Sequence, residues 1–162
     1  MLLVAIAALS LLAILLFTHP RKLELTPGLA KGQAFGNLPN TDYRANQQTL
    51  LIALSTTCPY CRESVPLYRR ILDGQRDAKD NLRVIALFPD HADEVAKYLK
   101  ENQLTINSIS GVDFRSFHIA GTPTMILVNE RGEVSDFWTG KLDERETEQF
   151  ARSLLSEKAS SQ

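Results

Sequence analysis

Both cysteines of this 162-residue chain lie in one stretch, STTCPYCRES, residues 55–64. Two thiols separated by two residues can hold a metal, close a small loop, or pass electrons as a dithiol–disulfide pair. Zinc asks for about four ligands. The histidines are His19, His91 and His118, and no second pair stands at ligand spacing, so no metal is expected. A structural disulfide between Cys58 and Cys61 would close a very short loop and constrain the unfolded chain little. The redox chemistry accounts best for where the cysteines sit, and it needs neither a metal nor an organic cofactor.

That placement depends on the flanking elements. TLLIALS (49–55) is a short continuous apolar run, the pattern of a strand buried on both faces. CRESVPLYRRILDG (61–74) has Val65, Tyr68, Ile71 and Leu72 at helical spacing, with Gly74 as a stop and Pro66 as a kink. Cys58 therefore falls where a strand gives way to a helix. Unpaired N–H groups and the positive end of the helix dipole favour a thiolate there, which makes Cys58 the exposed nucleophile. Cys61 follows one turn later on the same face, able to reach back and resolve a mixed disulfide. Pro59 suits the first helical turn, where its missing N–H is not needed. Arg62 either favours the thiolate by its charge or is an exposed helix cation.

A second stretch, HIAGTPTMILVNERGEV (118–134), puts Pro123 at the start of a strong strand, an unusual place for proline. A cis Thr122–Pro123 bond would account for it; a trans proline opening the strand is the alternative. His118 is read as a surface or semi-buried side chain.

The remaining elements follow from periodicity. LRVIALFP (82–89) reads as a buried strand, and DHADEVAKYLKEN (90–102) as a helix capped by Asp90. A short strand is expected near 106–109 and a short helix over 113–118. ERGEV (130–134) is a hairpin turn with Gly132 at the tight position, returning through VSDFWTG (134–140). A helix capped by Asp143 closes the chain. The order implies an α/β domain with a mixed central β-sheet and helices on both faces. It spans 48–158, behind an irregular, Pro- and Gly-containing segment over 18–47 and ahead of a disordered tail at 159–162.

Residues 1–17, MLLVAIAALSLLAILLF, are apolar but for Ser10. At about 1.5 Å per residue they barely span a hydrocarbon core of about 30 Å. There is no basic start and no small-x-small cleavage pattern, so an uncleaved anchor in the lipid bilayer is expected rather than a cleaved signal. With no cysteine near the span, a lipid-modified cysteine is excluded. Net charge is −1, with 23% charged and 44% apolar residues. The charges are interspersed, which excludes a basic nucleic-acid face.

The CPYC motif and Gly121-Thr122-Pro123-Thr124, at this separation, resemble the thioredoxin superfamily over roughly residues 45–155. Pro66, ILVNERGEV and WTGKL make the membrane-anchored, TlpA-like thiol–disulfide oxidoreductases the most similar branch. The resemblance implies a thioredoxin fold in which Cys58 attacks, Cys61 resolves, and Pro59, Tyr60, Thr122 and Pro123 shape the substrate site. It also implies protein thiol or disulfide substrates, with apocytochrome c, a copper-site assembly protein and general secreted proteins as candidates, and a membrane or soluble dithiol redox partner. The domain would lie on the extracytoplasmic, periplasmic side. Arg21 and Lys22 after the span argue the opposite orientation.

The chain departs from the pattern at several positions. Thr57 stands where the family usually has Trp before the first cysteine, and Trp138, the only tryptophan, is read as structural. LLIALS lacks the buried acid that serves the resolving thiol in thioredoxins. The TlpA-like branch often has Glu three residues after the second cysteine; here that residue is Ser64, with Glu63 one earlier. One position rotates a helical side chain by about 100°, which turns Glu63 toward solvent unless it tunes the site. No Gly-Gly pair follows Pro123, against a glutathione-dependent glutaredoxin. Three other classes stay open: a thioredoxin-fold peroxidase using Cys58, a binding module that keeps the fold but exchanges slowly, and a zinc-binding protein.

Overall fold

Three apolar hexapeptides build the centre of the sheet in the computed structural model, which describes residues 28–77 and 82–156. They are β1 (Gln48–Ala53), β2 (Leu82–Leu87) and β4 (Thr124–Asn129). The short β3 (Asn107–Ile109) and the returning β5 (Val134–Thr139) complete the order β3-β2-β1-β4-β5. β1 pairs parallel with β2 and antiparallel with β4, and β5 runs antiparallel to β4, so the sheet is mixed, as expected.

The continuous apolar runs are explained by burial on two sides. Leu50, Ile52, Val84, Ala86, Met125 and Leu127 point to one face, and Leu51, Ala53, Ile85, Leu87, Ile126 and Val128 to the other. The first face is covered by α1 (Pro59–Glu63), α2 (Val65–Asp77), α3 (Ala92–Glu101) and α4 (Glu144–Ser156) through Val65, Tyr68, Val95, Tyr98 and Phe150. The second is covered by two 3-10 turns, Tyr43–Ala45 and Phe114–Phe117, and by the irregular segment that carries Phe35 and Leu38. That segment is bonded in place: the Gly32 N–H donates to the Val134 carbonyl at 2.8 Å and the Phe35 N–H to the Gly132 carbonyl at 2.9 Å. Phe35 also stacks on Phe117, with ring centroids 5.1 Å apart.

Several local expectations are corrected. Gly74 does not stop its helix, which runs on to Asp77. The proline kink is a break: Ser64 separates α1 from α2, with its N–H on the Tyr60 carbonyl at 3.0 Å. Pro66 has no N–H for an Arg62 carbonyl, so an unbroken helix would lose a bond there. α3 is capped by His91 rather than Asp90, the His91 N–H donating to Glu94 Oε2 at 3.1 Å. The short helix at 113–118 is a 3-10 turn that ends on His118 in the left-handed region. Asp143 does cap α4, as a reciprocal box with Glu146 at 2.8 and 2.9 Å.

Residues 1–17 and 159–162 lie outside the described residues, and so do the anchor and tail expected there. Among the described residues no helix is long and apolar enough to cross a membrane. Leu51 is fully buried in the central strand. Leu51→Ala should therefore cost about 3 kcal/mol, measured as a shift in the urea midpoint.

Candidate active site

The register of β1 decides what meets the cysteines. Ala53 stands opposite Leu87 at the end of β2 and opposite Thr124 at the start of β4. The segments 54–58, 88–90 and 121–123 thus leave the sheet at one edge. Cys58 caps α1 in an extended conformation, and the Cys61 N–H donates to its Sγ at 3.3 Å. Pro59 occupies the first helical position.

From β4 the Thr122 carbonyl accepts from Cys58 Sγ at 3.3 Å. The Thr122–Pro123 bond is cis, and Pro123 is buried. This turn is tied at both sides: Gly140 N–H donates to the Pro123 carbonyl at 2.7 Å, and Thr124 Oγ1 to the Gly121 carbonyl at 2.7 Å. From β2, Asp90 reaches across to the loop ahead of Cys58. Its carboxylate accepts from the Thr56 hydroxyl at 2.7 Å, the Thr56 N–H at 3.2 Å and the Ser55 hydroxyl at 3.4 Å. Sequence reasoning spent Asp90 on a helix cap. The parallel pairing of β1 with β2, which sets their C-terminal ends side by side, was the signal for its other use.

The two thiols, both free, differ sharply. Cys58 is half-buried, which alone would raise its pKa. Hydrogen bonds from the Cys61 thiol, the Thr122 hydroxyl and the N–H groups of Cys61 and Tyr60 outweigh that and hold it below its ordinary value. Cys61 has no exposed surface. Burial, then the bond it donates to Cys58, pushes its thiol up to about 12. One sulfur is a ready nucleophile and the other keeps its proton.

The other candidate residues are dispersed around this pair. Tyr60 is 58% exposed, the one large hydrophobic side chain among the described residues that stands out in solvent, and Pro59 beside it is exposed too. Arg62 is exposed and is not among the groups acting on Cys58. Glu63 points outward to Lys141, 2.8 Å away, with both side chains about half exposed. Ser64 is buried and its hydroxyl donates to the Tyr60 carbonyl at 2.8 Å. Trp138 packs edge-to-face on Phe150 at 5.0 Å, a core contact. Among the described residues no three His, Cys, Asp or Glu side chains cluster as a metal site would need. Tyr68 and Tyr98, inward-facing by periodicity, are buried in the same core cluster as Cys61.

No family model matches the chain. It is 27% identical over 93 residues to the sporulation thiol-disulfide oxidoreductase A of Bacillus subtilis (strain 168). The match covers 54% of this chain and 56% of that protein, so the chain spans a little over half of the relative's length. Among solved structures it is similar to a Chlorobium tepidum protein provisionally described as the thiol:disulfide interchange protein DsbE. The TM-score is 0.67 at 18% identity, covering 80% of this chain and 98% of that one. It is also similar to StoA from Bacillus subtilis, with a TM-score of 0.55 at 23% identity, covering 70% and 84%. The fold is thioredoxin-like.

The thiol asymmetry gives two measurable outcomes. Iodoacetamide should label only Cys58 in the reduced native protein, with a pH midpoint below that of an ordinary thiol at about 8.5; equal labelling of both cysteines would contradict the geometry. Cys61 titrates higher folded than unfolded, so its contribution is complete below the unfolded value and lost as pH rises toward the folded one. Reduced protein should lose stability between about 9 and about 12. Cys61→Ala should flatten the first part of that fall, read as urea midpoints at pH 8 and 10.

Proposed function

We propose that this chain is a thiol–disulfide oxidoreductase that exchanges electrons with protein thiols and disulfides through Cys58 and Cys61. The observation that carries the reading is the pairing of a half-buried, low-pKa Cys58 with a fully buried, high-pKa Cys61 beside Thr122–Pro123. The thiolate is the attacking species in disulfide exchange, and of the two thiols only Cys58 is both held below its ordinary pKa and reachable. Attack by Cys58 on a substrate disulfide gives a mixed disulfide. Cys61, within reach through the same helical turn, then displaces the substrate sulfur. The name of the Bacillus subtilis relative, a thiol-disulfide oxidoreductase, supports the same chemistry.

Substrate recognition is assigned to Pro59, Tyr60, Thr122 and Pro123. The exposed Tyr60 ring gives an apolar platform beside the nucleophile, and the Thr122 backbone is the hydrogen-bonding rim. The finer reading is a TlpA-like enzyme held by residues 1–17 at an extracytoplasmic membrane face and served by a partner dithiol. It rests on the apolar run and the motif set.

Purified reduced protein should turn over insulin disulfides with dithiothreitol. Cys58→Ser should abolish turnover, a loss of more than about a hundredfold if covalent attack is the route. Cys61→Ser should accumulate mixed disulfides visible on non-reducing gels. A Cys58→Ser protein with wild-type turnover would overturn the assignment. Fast oxidation of Cys58 to sulfenate by low peroxide, without insulin turnover, would replace it with the peroxidase.

A further inference from the structure

The loop between β1 and the dithiol lies past the end of the sheet. The last bond of the β1–β2 ladder runs from the Leu54 N–H to the Leu87 carbonyl at 2.9 Å. Residues 55–57 pair with no described strand, and α1 beyond them is five residues long and broken from α2 at Ser64. This loop nevertheless sets the backbone of the nucleophile. The Cys58 N–H donates to the Ser55 carbonyl at 3.2 Å, and Cys58 caps α1 at φ −78° and ψ 118°. Among the described residues, every hydrogen bond that ties residues 55–57 to a part of the chain other than the two cysteines ends on one carboxylate. Asp90 accepts from the Thr56 hydroxyl at 2.7 Å, the Thr56 N–H at 3.2 Å and the Ser55 hydroxyl at 3.4 Å. The Thr57 hydroxyl bonds only within the loop, 3.2 Å from that of Ser55. Asp90 is itself held. Its carbonyl accepts from the Gly111 N–H at 3.1 Å, and Phe88 before it is bonded through its N–H to Ile109 and through its carbonyl to Val112, each at 2.9 Å.

The three bonds are charge-assisted, and the shortest lies in the range of strong hydroxyl–carboxylate pairs. They pair no strands and close no core, but they decide where the cap residue stands. We propose that Asp90 is a positioning residue for the dithiol: by fixing residues 55 and 56 it holds the Cys58 cap in the geometry from which the Cys58–Cys61 bond closes. The inference rests on the exchange reading given above and deepens it. In the closing step the Cys61 sulfur bonds to Cys58, and the bond from Cys58 to the substrate sulfur breaks. That sulfur leaves with the electron pair and takes up, through solvent, the proton given up by Cys61. The two cysteines end oxidised and the substrate reduced. Asp90 is not among the groups acting on either sulfur, so its influence passes through Ser55 and Thr56.

The test is the equilibrium of the full-length chain with glutathione disulfide, in the wild type, Asp90→Ala, Asp90→Asn, Thr56→Val and the double variant Asp90→Ala/Thr56→Val. Each closure consumes one glutathione disulfide and releases two glutathione thiols, so the equilibrium constant reads how readily the Cys58–Cys61 bond forms. It should fall about tenfold in Asp90→Ala, the equivalent of losing hydrogen bonds to one charged group. Asparagine keeps one acceptor oxygen, so Asp90→Asn should fall less. Thr56→Val removes the shortest bond and leaves the charge, and it should fall too. The double variant should fall no further than Asp90→Ala alone, as for two partners in one interaction. Urea midpoints of the reduced variants should change little. Wild-type constants in both Asp90→Ala and Thr56→Val would overturn the proposal. So would equal falls in Asp90→Ala and Asp90→Asn beside a wild-type Thr56→Val, because the charge and not the loop would then be at work. Lower urea midpoints with wild-type constants would overturn it as well, since the bonds would then serve only the fold. If Asp90→Ala does not fold, Asp90→Asn and Thr56→Val decide on the same terms. A wild-type dithiol that never equilibrates with glutathione would sink the exchange reading, and the proposal with it.

Discussion

The site depends on the register of a single strand. β1 is paired on both edges and buried on both faces. A slip of one residue would turn Leu50, Ile52 and their neighbours to the wrong face all at once, so the register is strongly fixed. Its end is therefore fixed too. Because β2 runs parallel to it and β4 antiparallel, the end of one neighbour and the start of the other arrive at the same edge. Asp90 and Thr122 come from opposite sides and hold the loop and the sulfur between them. The nucleophile is positioned by sheet geometry, and the hydrogen bonds fine-tune a placement already made.

From that placement the inequality of the thiols follows. Cys58 sits at a helix cap, where N–H donors are free, and Cys61 one turn inward, where solvent is excluded. The same short turn supplies donors to one sulfur and a dry environment to the other. The proton the pair shares belongs to Cys61 for both reasons. Thr122 touches both sulfurs, so the proline turn contributes to the electrostatics as well as to the rim of the site.

The sequence made the centre of this molecule legible and its supports less so. TLLIALS, LRVIALFP and TPTMILVN are apolar without alternation, and only burial on both faces produces that pattern; the three central strands follow within a residue or two. The cysteines at a strand–helix junction were equally plain. The break at Ser64 was half visible: Pro66 marks a missing N–H, but whether a helix bends or breaks there is decided by packing. Asp90 was misassigned because an acid before a helix fits a cap on local grounds, and its actual partners lie 34 and 35 residues away. The covering of the second face by 3-10 turns and an irregular segment was hidden for the same reason. Phe35, Leu38 and Phe117 carry no periodicity; the segment around Phe35 is held by bonds to Gly132 and Val134 at the start of β5, and Phe117 by stacking on Phe35, none of which a local pattern announces.

The balance between the two redox states is set by terms that this arrangement separates. Each donor to the Cys58 thiolate favours the dithiol form, and stabilising that form makes a disulfide a stronger oxidant. Here those donors are two backbone N–H groups, one hydroxyl and the neighbouring thiol, with no cation among them. Arg62 is exposed and not among the groups acting on Cys58, and Glu63 is paired with Lys141. Neutral donors are individually weaker than charged ones, so the stabilisation of the reduced form comes from convergence rather than from a single strong partner. Below the pair, the buried interior opposes charge on Cys61 and therefore opposes its attack. A chain with an acid at that depth can remove the proton directly. A chain without one must form the thiolate among neutral neighbours, here the Ser55 backbone and the Thr122 hydroxyl. What favours the dithiol at Cys58 is the convergence of donors at the helix cap, what opposes resolution at Cys61 is burial, and Thr122 acts on both sulfurs.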